Sequence, residues 1–249
     1  MEFTGIDVSK HNGVIDWDKV KKSGIQFAIL RCGYGRKHPD QVDEQFERNY
    51  RECKRVGMPV GVYHYSYPKD VEGARLEADF MLELIAGKQF EYPVYFDIED
   101  KSQKALGEKL LTDITVAFCE KIEAAGYYTG IYSNPDWFTH RLGLGRLGKY
   151  DKWLAHWVAN PKWGNEFGGL WQYTDSGRVA GINTNVDMDV SYRDYPSIIK
   201  RAGLNGFGKV KETTYTIKAV KEGLASTEAD ILARDASALG MTVVKIKEG

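Results

Sequence analysis

From residue 3 to residue 133 the chain alternates short β-rich runs with amphipathic helical stretches, and this rhythm constrains the fold more than any other feature. Residues 3–8 read as a strand, 16–23 as a short helix capped near Asp16, and 26–32 as a second strand. A helix over 41–56 stops at Gly57 and Pro59, where a third strand runs over 59–67. A helix over 71–86 ends at Gly87, and 93–98 is a fourth strand. A helix over 108–125 is closed by Gly126, and 128–133 is a fifth strand. Strands that alternate with helices in this way form parallel βαβ units.

After Pro135 the rhythm changes. Residues 153–157, 169–174 and 187–192 are short strand-like runs without long helices between them. About five βα units followed by a strand-rich closure suit one barrel better than an open doubly wound sheet. The expected fold is therefore α/β, a modified TIM-like barrel, and single barrels commonly run to about 250 residues.

The tail differs. All six tryptophans lie at or before Trp171, and beyond Gly206 only Phe207 and Tyr215 are aromatic. The expected division is a catalytic barrel over 1–203, a glycine-bracketed linker over 204–212, and a small βαβ module over 213–249. Ala225, Ala229, Leu232, Ala236 and Leu239 make one apolar helical face, and Gly240 supplies the stop. A module this small is near the lower limit for independent folding. It is expected to dock on the barrel or to pair with a copy of itself as a homodimer.

Composition narrows the function. Lys and Arg number 34 against 35 Asp and Glu, for a net charge of −1, so no basic face for nucleic acid is indicated. No apolar run approaches the roughly 20 residues needed to span a bilayer, and no membrane partner is expected. The N-terminus has neither the basic nor the apolar region of a secretory signal. That suggests cytoplasmic accumulation with assisted release, or export after processing. Cys32, Cys53 and Cys119 are widely spaced and read as buried free thiols, and the five histidines form no His-x-x-x-His pair. No metal and no cofactor are expected. Neither a P-loop nor a Gly-x-Ser-x-Gly elbow is present.

Four carboxylates stand in or at the ends of the expected strands: Asp7, Asp97, Glu99 and Asp187. Strand side chains alternate, so Asp97 and Glu99 share a face. Two carboxyls on one face repel when both ionise, and one tends to keep a proton. An acid beside an ionised carboxylate is what glycoside hydrolysis requires. Catalytic groups of an α/β barrel lie at the C-terminal strand ends, and ring closure would bring Asp7 and Asp187 to the same pocket. The apolar flank Val94, Tyr95, Phe96 and Ile98 makes a purely structural pair expensive. Asp189 shares the face of Asp187 and is a further pocket candidate. Tyr63, Tyr65, Tyr132, Trp157 and Trp171 follow the same geography and suit stacking on sugar rings. Arg31 could pair with a pocket acid or bind a substrate carboxylate.

These residues resemble the family 25 glycoside hydrolases, the Chalaropsis-type lysozymes. Gly5-Ile-Asp7-Val-Ser-Lys-His-Asn-Gly13 with Ile15-Asp16-Trp17 looks like the family's first strand and loop. Phe27-Ala-Ile-Leu-Arg31 and Gly61-Val-Tyr-His-Tyr65 resemble its second and third strands, and Tyr95-Phe-Asp97-Ile-Glu99 its acidic motif. Trp171-Gln-Tyr-Thr174, Gly181 and Val186-Asp187 match its closing motif. The resemblance runs from about Gly5 to Tyr195; the tail lies outside it, and the resemblance implies an added module there that holds the wall or builds an oligomer. It implies a modified barrel with several antiparallel closing strands. It also implies an N-acetylmuramidase that cuts the β-1,4 bond between N-acetylmuramic acid and N-acetylglucosamine in bacterial peptidoglycan, as an endolysin or autolysin acting on the cell wall. By that resemblance Glu99 is the general acid, Asp97 orients or polarises the N-acetyl group, and Asp7 and Asp187 complete the acidic floor. Asp189 departs from the family, which often has Asn there. Another N-acetylhexosamine glycosidase and a non-catalytic wall-binding protein are the alternatives.

Overall fold

A computed structural model describes residues 2–36, 38–159 and 168–208, together with Glu228. The chain divides into two units, Met1–Val210 and Lys211–Gly249, and the described fold belongs to the first. The expected strand–helix–strand pattern of 213–249 lies outside the described residues, Glu228 apart.

Eight strands close into a barrel in sequence order. They are β1 (Phe3–Val8), β2 (Phe27–Tyr34), β3 (Val60–Ser66), β4 (Val94–Ile98), β5 (Thr129–Ser133), β6 (Asp151–Ala155), β7 (Leu170–Gly177) and β8 (Val186–Ser191). Every neighbouring pair from β1 to β7 is parallel. Only β8 runs against its neighbours, β7 and β1. The expectation of several antiparallel closing strands is thus corrected to one. β8 follows β7 through a short return, which reverses the chain, whereas parallel strands need a crossover.

Helices α1 (Trp17–Lys22), α2 (Phe46–Arg55), α3 (Val71–Ile85) and α4 (Glu108–Ala124) fill the first four crossovers. The short α5 (Pro135–His140) and α6 (Leu144–Leu147) lie between β5 and β6, and α7 (Tyr195–Ala202) follows β8. The Asp16 side chain caps α1 by accepting from the Lys19 amide. The helix expected over 41–56 begins later. Residues Pro39–Gln41 form a 3-10 turn and Val42 bridges to Gly33 before α2 starts.

Strand alternation divides the apolar residues into two cores. Outward side chains such as Ile6, Leu30, Val62, Phe96 and Ile131 pack with the helices. Inward ones, Phe27, Ile29, Tyr95, Tyr132 and Trp153, fill the barrel. The interior is aromatic because glycines make room. A Cβ on Gly130 would lie 2.3 Å from the Tyr95 ring, and one on Gly5 would lie 2.2 Å from the Phe27 ring.

The N-terminal end of the barrel is sealed. Tyr195 and Ile199 of α7 join the inner core. The buried Asn205 donates from Nδ2 to the carbonyls of Phe90 (3.0 Å) and Tyr92 (2.9 Å), and accepts at Oδ1 from the Tyr128 amide (2.7 Å). Leu204 and Phe207 pack on the same core, so the barrel continues past residue 203 into the stretch expected as linker. With one end plugged, the opposite, C-terminal strand ends are left for chemistry.

Candidate active site

A cleft of about 240 Å³ opens at those strand ends. Its floor carries Asp7, Asp97, Glu99 and Asp187. β4 delivers Asp97 level with Tyr65 of β3 and Tyr132 of β5. β1 and β8 set Asp7 opposite Asp187. Tyr63, Tyr65, Tyr132 and Trp157 form its walls. Eight residues singled out from the sequence therefore meet in one place. Among the described residues that line the cleft none is basic.

Burial sets the electrostatics. Asp97 is only 3% exposed and its Oδ1 has no hydrogen-bond partner. Its pKa is raised well above the usual carboxylate range by burial and then by Glu99, with Arg31 opposing. Glu99 is half-buried; burial raises its pKa, a hydrogen bond from Asn134 opposes, and Asp187 and Asp100 add to the rise. Burial, followed by the charges of Asp189 and Asp187, lifts Asp7 well above the carboxylate range. Asp187 is pushed up to about 6 by burial and by Asp175. Carboxyls so placed keep protons at a pH where exposed carboxyls have lost them, which is the condition for acid catalysis.

Three sequence candidates do not line the cleft. Arg31 turns its Nε to Asp43 at 2.8 Å, and Asp43 also accepts from the Lys10 amide, so the guanidinium is held outside the floor. Asp189 is fully buried behind it, accepting at 2.8 Å from Trp153 Nε1. Trp171 has the opposite strand parity to Gln172; its Nε1 donates to the His156 carbonyl at 2.7 Å and its ring packs on Tyr173. Trp171 therefore stands outside the cleft lining.

Three lining residues went unassigned in the sequence: Trp153, Gln172 and Asp175. Trp153 has the parity of Trp157, which could have identified it, and its ring lies 4.5 Å from that of Tyr132. Gln172 sits between two aromatics and carries no charge to mark it. Asp175 lies on the extension of β7 beyond the expected strand end at residue 174. Among the described residues no group of three or more His, Cys, Asp or Glu side chains is disposed to hold a metal ion.

Residues 6–182 match the family described as Glycosyl hydrolases family 25. The chain is 32% identical over 193 residues to protein YegX of Escherichia coli strain K12, covering 75% of this chain and 68% of that one. The bacterial lysozyme from Streptomyces coelicolor superimposes with a TM-score of 0.70 at 26% identity, over 83% of this chain and 98% of that one. The modular autolysin LytC from Streptococcus pneumoniae, solved in complex with a synthetic peptidoglycan ligand, gives a TM-score of 0.69 at 29% identity. That match covers 77% of this chain but 47% of LytC, so the chain spans about half of the autolysin.

Proposed function

The chain belongs to glycosyl hydrolases family 25, and from that premise we propose that it is a peptidoglycan N-acetylmuramidase. It hydrolyses the β-1,4 bond between N-acetylmuramic acid and N-acetylglucosamine, and acts on the bacterial cell wall as an endolysin or autolysin. The observation that carries this reading is the convergence of Glu99 and Asp97 from β4 with Asp7 and Asp187 from the β1–β8 closure in one aromatic-walled cleft.

Glu99 is the general acid. It is reachable from the cleft, keeps its proton through burial, and is held by the Asn134 side chain. It delivers that proton to the glycosidic oxygen as the bond to the sugar breaks. Asp97, with one oxygen unpaired, faces the N-acetyl group of the reacting sugar and stabilises the positive charge that develops there. Asp7 and Asp187 complete the acidic floor beneath that charge. Trp157 and the tyrosines give the sugar rings flat apolar faces to stack on.

Digestion of purified Gram-positive walls tests the reading, with mass spectrometry of the new reducing ends. Muramic-acid ends are expected. Glucosamine ends would move the cut to the other bond, and binding without release of any fragment would make the barrel a wall-binding module.

A further inference from the structure

Gln172 is 3% exposed and sits at a junction the catalytic assignment does not use. Its Oε1 accepts at 3.1 Å from the Tyr132 hydroxyl and at 3.1 Å from Trp157 Nε1. Its Nε2 donates at 2.7 Å to Asp7 Oδ2. The amide can face only one way, because an indole N–H donates and never accepts, which puts the oxygen toward Trp157 and the nitrogen toward Asp7. Trp157, 55% exposed, stands at the cleft rim, whereas Asp7 is 4% exposed in the floor.

We propose that Gln172 is a positioning residue that commits Asp7 Oδ2 to accept a hydrogen bond and ties that carboxyl to the rim indole of Trp157. The proposal rests on the reading of Asp7 as part of the catalytic floor. With Oδ2 committed, any proton carried by Asp7 resides on Oδ1. Asp187 of β8 is paired with Asp7 across the closure, and the charges of Asp189 and Asp187 both raise it. Asp97 of β4 also raises Asp7, Asp7 in turn raises Tyr63 of β3, and its β2 neighbour Ile29 is uncharged. A sugar stacked on Trp157 and the floor carboxyl are then held in register by one amide.

Two variants separate the two halves of the link. Gln172→Glu keeps acceptors for Trp157 and Tyr132 but loses the donor to Asp7. Gln172→Met loses both at similar volume. Both are expected to lower kcat on peptidoglycan by about ten-fold or more, the scale of one misplaced site group. Gln172→Met is expected to move the acidic limb of the kcat profile upward by about one pH unit, because Asp7 loses a bond that favours its ionised form; in Gln172→Glu the added carboxyl raises Asp7 as well. KM should rise in the Met variant and stay near wild type in the Glu variant. An unchanged pH profile in a folded Gln172→Met protein overturns the proposal. So does an equal KM change in both variants.

A second measurement is independent of turnover: the 13C-carboxyl titration of Asp7 in full-length wild type and in Gln172→Met, which removes the donor without adding a carboxyl. An upward move in the variant supports the link even if no wall is cleaved, in which case the muramidase reading alone fails. No move overturns the link whatever the activity.

Discussion

Asp7 and Asp187 stand directly opposite each other where β1 and β8 close the barrel. The antiparallel return of β8 brings about this pairing, since Cα atoms of opposed antiparallel residues lie only about 5 Å apart. Burial and like charge then act together on both carboxyls, and Asp189 behind them adds a third. The three titrate as a set rather than as independent groups.

Asp187→Asn should trade activity for stability. The folded protein holds the Asp187 proton up to about pH 6, against 3.8 for an ordinary aspartate. The group's contribution to stability is therefore full below about 3.8 and is lost as pH rises through about 6. Replacing it by Asn removes that loss, worth on the order of 2 kcal/mol at neutral pH. Thermal melting across acidic and neutral pH should show the variant more stable than wild type only on the neutral side, with wall lysis reduced by about 100-fold.

Outside the cleft, Glu77 of α3 offers the same sign without loss of activity. It is buried 3.9 Å from His64, but the two do not form an ion pair near neutrality. Burial pushes Glu77 up to about 7 and His64 down to about 4, so both are uncharged between those values. His64 Nε2 donates to the Gly35 carbonyl at 2.9 Å instead. Stability from the Glu77 proton is full below about 4.5 and lost as pH rises through about 7. Glu77→Gln should raise the unfolding free energy measured by urea titration in mildly alkaline buffer by up to about 3 kcal/mol, and leave it unchanged in acid.

Gly130→Ala tests the aromatic interior. Its methyl would lie 2.3 Å from the Tyr95 ring, which is packed against Trp153 at a centroid distance of 5.1 Å. The ring has no free space to retreat into, and overpacking should cost about 1–3 kcal/mol. Equilibrium urea unfolding should show the loss. Wild-type stability would mean that the inner core is looser than described.

Asn205 should prove more sensitive than its place near the end of the barrel unit suggests. Its side chain satisfies two buried carbonyls and one amide, and its φ of 54° lies in the left-handed region. Asn205→Gly keeps that backbone freedom but orphans all three groups, at about 1–3 kcal/mol for each left buried without water. Asn205→Ala adds backbone strain on top. The melting temperature should fall in the order wild type, Gly, Ala.

The parallel part of the fold was legible because each βα unit is a local pattern. Alternation alone put Asp97 and Glu99 on one face, and barrel closure predicted that Asp7 would meet Asp187. What escaped was set by partners far along the chain. Arg31 is drawn off by Asp43, a residue of the loop before α2 with no periodic signature. Asp189 shares parity with Asp187, yet depth in the barrel leaves it behind the floor against Trp153, 36 residues away. Gln172 gains its place only when β5, β6 and β1 surround it.

The most direct test of the account is the rate at which wild type and Glu99→Gln release new muramic-acid reducing ends from the same purified cell walls. Gln keeps the shape and the Asn134 contact but carries no acidic proton. A drop of about 100-fold or more, in a variant that melts like wild type and still binds walls, is the predicted result. Release at the wild-type rate would remove Glu99 from the chemistry and contradict the account.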